Sequence, residues 1–94
     1  MLYRTVVEET YFADELEILK KEYPNIYDIK DAASWELGRR PYAYPLLPNE
    51  NAVRIFNTFK IGYTPTFRVL YKYEEDADPR VFLLSISPIK EDEE

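Results

Sequence analysis

A chain of 94 residues with 12 Lys and Arg against 18 Asp and Glu carries a net charge of -6 and contains neither histidine nor cysteine. These counts exclude disulfide staples, thiol nucleophiles, imidazole acid/base chemistry and any metal site built on Cys or His. Chemistry on this chain therefore has to come from carboxylates, Lys, Arg, Tyr or hydroxyl groups.

The length suits one domain spanning 1–94, because a core of this size buries only roughly 60–70% of the unfolded chain's surface and does not survive division. An apolar fraction of 46%, with nine Tyr, five Phe and one Trp, supplies enough bulk for it. No apolar run reaches the ~20 residues of a membrane span, and the first residues read as no signal peptide, so a cytoplasmic protein that does not contact membranes is expected.

Leu2 to Val7 is short, β-branched and aromatic, which favours a strand. Thr10 stands where a helix N-cap would, and Phe12, Leu16, Leu19 and Tyr23 then follow on one helical face until Pro24. A second helical period runs through Ile26, Ile29, Ala33 and Leu37, with Gly38 as C-cap and Arg39 and Arg40 at the negative end of the dipole. Pro41, Pro45 and Pro48 make residues 39–51 an extended connector that packs Tyr42, Tyr44, Leu46 and Leu47 over the domain.

From Val53 the pattern alternates as a strand toward Lys60, stopping near Gly62, Thr64 and Pro65. Phe67, Val69, Tyr71 and Tyr73 alternate with Arg68, Leu70 and Lys72 in a second strand, with Arg68 on the face opposite the apolar residues. After an acidic loop at 74–79, Val81 to Ile86 is apolar on both faces and reads as a central strand. Residues 91–94 form an acidic, frayed tail. The order β-α-α-β-β-β predicts an α+β two-layer domain, its helical hairpin covering one face of a mainly antiparallel sheet. The first strand joins at the edge or beside the last strand.

Charge is unevenly spread. Residues 51–73 hold Arg54, Lys60, Arg68 and Lys72, no acid, and six interleaved Phe and Tyr residues. Cations and rings on one sheet can hold phosphates while stacking bases. The same composition also fits an ordinary sheet, whose surface cations blunt its edges and whose alternating aromatics form core, with Tyr71 and Tyr73 packed under the helices.

The segment Phe67-Arg68-Val69-Leu70-Tyr71-Lys72-Tyr73, the acidic loop and Val81 through Lys90 resemble the closing strands of the RelE/ParE toxin superfamily, and the upstream order of elements is similar over the whole chain. The resemblance implies a RelE-like toxin of a type II toxin–antitoxin system that acts as a ribosome-dependent, metal-independent mRNA endonuclease needing no cofactor. Its partners would be a cognate antitoxin, the ribosome and mRNA. Carried over by position, it assigns Arg68 to transition-state phosphate stabilisation and Lys60 to proton abstraction or charge stabilisation. Arg54, Lys72 and Lys90 become substrate contacts. Two alternatives stay open: a ParE-like protein that poisons gyrase, and a non-catalytic member keeping the fold and antitoxin binding. The second rests on Glu91-Asp92-Glu93-Glu94, which stand where ribosome-dependent members carry basic residues and a catalytic aromatic or His-Tyr pair.

Overall fold

A computed structural model of the chain describes residues 3–60 and 62–89. Its elements are β1 (Thr5–Glu8), α1 (Thr10–Glu22), α2 (Ile26–Arg39), β2 (Arg54–Asn57), β3 (Phe67–Glu74) and β4 (Arg80–Pro88), with a single 3-10 turn at Pro41–Ala43. The four strands make one mixed sheet in the order β1-β4-β3-β2. β1 runs parallel to β4, and the other two pairings are antiparallel. The molecule is thus α+β, with the element order read from the sequence, β4 inside the sheet and β1 added beside it.

Both helices pack on one face of the sheet. Phe12 and Leu16 of α1 and Ile26, Ile29, Ala33 and Leu37 of α2 meet Phe56, Phe67, Val69, Tyr71, Val81, Leu83 and Ile86 in a single core. Leu19 and Tyr23 complete the α1 face at the core's edge, where Tyr23 stands edge-on to Phe67 at 5.2 Å between ring centroids. The Tyr71 hydroxyl, fully buried, donates to the Pro41 carbonyl at 2.7 Å, and burial raises its pKa. A phenol in the core keeps its polar end satisfied by tying the sheet to the Pro-bearing turn.

Several local expectations need correction. α1 begins at Thr10 itself, with Glu9 as N-cap. Gly38 is no C-cap, because α2 continues to Arg39 and Gly38 is buried within it; a Cβ there would lie 2.8 Å from the ring of Tyr3. Its small size serves a close approach rather than a left-handed turn. The carbonyls at this helix end are instead capped by Arg4, whose Nη1 donates to the carbonyls of Gly38 and Arg39 at 3.3 and 3.0 Å. The same guanidinium grips Glu75 through Nε and, at 2.7 Å, Nη2, so one side chain of 6% exposure joins the N-terminal segment, α2 and the β3–β4 loop.

β2 is shorter than the alternation suggests, ending at Asn57. Its outer edge is covered by the connector: Ile55 N–H donates to Pro45 O at 2.9 Å, Leu47 N–H to Val53 O at 2.7 Å, and Leu46 bridges Arg54. Tyr44 packs edge-on against Phe56, whereas Tyr42 and Leu46 remain exposed. In β4 the pairing steps from Tyr71↔Leu83 to Leu70↔Ser85, so two β4 residues span one step of β3. This irregularity turns Ser85 off the core face, where alternation from Val81 and Leu83 would put it, and brings Ile86 onto that face instead. No helix among the described residues is long and apolar enough to cross a membrane.

Candidate nucleic-acid interface

Strand register decides which cations share a surface. Arg68 is paired with Asn57 on one side and Ser87 on the other, and all three are exposed on the sheet face away from the helices. Lys72 lies on the same face, two alternations along β3, with its Nζ 5.7 Å from the ring centroid of Phe82. At ~3.3 Å per residue the two cations sit roughly 13 Å apart along the strand. Between them Leu70, flanked by Ile55 and Ser85, gives the surface a half-buried apolar floor. Glu74 pairs with Arg80 at 3.4 Å at the far end, so the acid on this face is locally matched.

Arg54 belongs to the other face. It stands opposite Tyr71, donates from Nη1 to the Tyr44 carbonyl at 2.6 Å and lies 5.5 Å from the ring of Tyr73. The residues assigned by position therefore divide, Arg68 and Lys72 on the open face and Arg54 on the helix side. Lys60 lies beyond the end of β2 and is exposed. Lys90 and the acidic segment 91–94 fall outside the described residues.

The β2–β3 connection is anchored at its base and displays its middle. Thr58 N–H donates to Phe67 O and Thr58 Oγ1 accepts from Phe67 N–H, both at 2.9 Å, while Asn25 Nδ2 at the start of α2 donates to Thr64 Oγ1 at 3.2 Å. Gly62 supplies the positive φ, 58°, that the turn needs. Held this way, Phe59 and Tyr63 project on either side of Lys60 with 82% and 106% of their surface exposed. Of the six aromatics counted between 51 and 73, Phe56, Phe67 and Tyr71 are core and Tyr73 is half-buried, so only these two are offered to a ligand. Periodicity misses this distinction because it marks all six alike.

A concavity of about 640 Å³ lies between α2 and the inner side of β2. Its apolar wall is Ile29, Ala32, Ala33 and Phe56, with Trp35 and Phe59 among its lining. Glu36 is its polar centre. Its Oε2 accepts from the Tyr44 hydroxyl and from Arg40 Nη2 at 2.5 Å and Nε at 3.1 Å, which together hold this carboxyl below the usual range. Sequence reasoning assigned nothing here, since Glu36, Arg40 and Tyr44 come together only when the connector folds back over α2. No group of three or more acidic residues that could hold a metal ion is present among the described residues.

Comparison with protein-family models, with curated proteins and with solved structures finds no match for this chain.

Proposed function

We propose that this protein is a RelE-like toxin of a type II toxin–antitoxin system that engages RNA through its helix-free sheet face and the adjoining β2–β3 loop. The observation that carries the reading is the exposure of Phe59 and Tyr63 on either side of Lys60, on the connection that leads into Arg68. Exposed rings give stacking faces that tolerate any base, and flanking cations hold the phosphates between them. The α+β architecture and its order of elements are compatible with the toxin superfamily. In the proposed cleavage a ribose 2′-hydroxyl gives up its proton to solvent and attacks the adjacent phosphorus, while Arg68 and Lys60 neutralise the phosphate as charge builds on it; the leaving 5′-oxygen is protonated by solvent. A cognate antitoxin with an acidic segment would silence the same surface.

A reading without cleavage has one observation in its favour: Arg54 is turned to the covered face, which leaves fewer cations around Arg68. Induced expression in bacteria separates the readings. Growth arrest with cleaved mRNA is the expected result. Arrest with intact mRNA and inhibited supercoiling supports the gyrase-poisoning alternative, and harmless accumulation of folded protein contradicts toxicity altogether.

A further inference from the structure

The groove beside α2 lies on the helix side of the sheet, and of its lining the proposed toxin activity uses only Phe59, at the rim. Along α2 the groove-lining positions Asp28, Ala32, Trp35, Glu36 and Arg40 form one stripe extending just past the helix end, and all but Glu36 are exposed. The stripe has opposite charges at its two ends. Asp28 lies in the first turn of α2 and Arg40 caps its end, about 18 Å apart at 1.5 Å per residue. Trp35, 55% exposed, sits near the middle, and Phe59 edges the opposite rim. With Glu36 already held within the chain by Arg40 and Tyr44, the stripe presents a negative end at Asp28 and a positive end at Arg40, charges that are complementary when the stripe is reversed.

We infer that this face is a homodimer interface, in which two copies lay α2 against α2 in opposite directions about a twofold axis near Ser34, with Asp28 of each facing Arg40 of the other. The register follows from the charges: pairing 28 with 40 sets Ala32 opposite Glu36 and brings the two Trp35 side chains beside the axis. Ala32, small and exposed, leaves room for the short interaxial distances, about 8 Å, at which helices with small contact residues pack. Arg40 binds Glu36 through Nε and Nη2, and its Nη1, which takes no part in that pair, is the donor offered across the interface. Symmetry doubles every contact, so one substitution changes two places in the dimer. The groove and its aromatic rim are apolar enough to be covered on association, as the centres of such interfaces are.

Sedimentation equilibrium of the whole chain, between about 1 µM and 1 mM where small interfaces associate, tests this. The expected result is a concentration-dependent rise from the 11.2 kDa chain mass to twice that value, with the emission of the single Trp shifting to the blue in step. Asp28→Arg creates two like-charge contacts and is expected to weaken association about a hundredfold, a change of ~2.7 kcal/mol. Arg40→Asp is expected to do the same, and the double exchange D28R/R40D to restore association. Ala32→Glu, at an exposed helical position, sets a carboxylate against Glu36 of the facing copy; its i,i+4 repulsion with Asp28 and Glu36 of its own chain weakens the helix only slightly, which keeps the test valid should Arg40→Asp fold poorly. A chain that stays monomeric throughout, a dimer indifferent to Asp28→Arg and Ala32→Glu, or a folded double exchange that does not reassociate would each overturn the inference.

Discussion

Replacing Arg68 by alanine is expected to lower RNA cleavage, or RNA affinity if no cleavage occurs, by about a hundredfold while leaving the fold intact. Arg68 is exposed and points away from the core, and the strand it sits on is held by Phe67, Val69 and Tyr71 on the other face. An exposed substitution of this kind changes stability by less than about 0.5 kcal/mol. Removing a donor that meets developing phosphate charge costs on the order of 10²–10³ in rate. Arg68→Lys retains the charge but not the planar two-point grip on phosphate, so an intermediate loss is expected. Cleavage or binding assays beside thermal melts of the same preparations check both halves; equal activity of Arg68→Ala and the parent removes Arg68 from the site.

Arg4→Met is expected to destabilise the fold by about 2–3 kcal/mol, the scale of a buried charged group losing several hydrogen bonds at once. Methionine fills comparable space but cannot cap the Gly38 and Arg39 carbonyls or hold Glu75. The change also has a pH signature. The Arg4 guanidinium holds the Glu75 carboxyl below the usual range, so this contribution is fully present above the ordinary carboxylate pKa of about 4.3 and is lost as pH falls through the folded value. Glu36 behaves likewise through Tyr44 and Arg40, and it is untouched by the substitution. Denaturant unfolding from pH 7 down to about pH 3 should therefore show a shallower acid loss in Arg4→Met than in the parent, with part of the slope remaining. Parallel curves would show that the Arg4–Glu75 pair contributes nothing to acid sensitivity.

How far the sequence reaches depends on whether a residue's partner lies within its own periodic segment. Ile26, Ile29, Ala33 and Leu37 reveal their helix face because each marks the same side of one turn pattern, and all four are buried. β4 declares its central place because both of its faces are apolar. Arg68 is legible for the same reason, as the charged member of a clean alternation. Arg54 is not, because Val53 and Ile55 alternate with Arg54 and Phe56 and both sides read as apolar; only the pairing with Tyr71 assigns its face. Arg4 carries no pattern at all, and its partners are 34 to 71 residues away. The register step at Leu70/Tyr71 likewise depends on the neighbouring strand, and Phe59 and Tyr63 are separated from the core aromatics only by the turn that Gly62 allows.

RNA is expected to meet the open face of the sheet and the β2–β3 loop. Amide chemical-shift mapping with a short single-stranded RNA tests this. Shifts are expected to concentrate at Asn57, Phe59, Lys60, Tyr63, Arg68 and Ser87, with Asp28, Ala32 and Glu36 on the α2 stripe unmoved. Shifts confined to the α2 groove, or none at RNA concentrations that shift a known RNA-binding control, would contradict it.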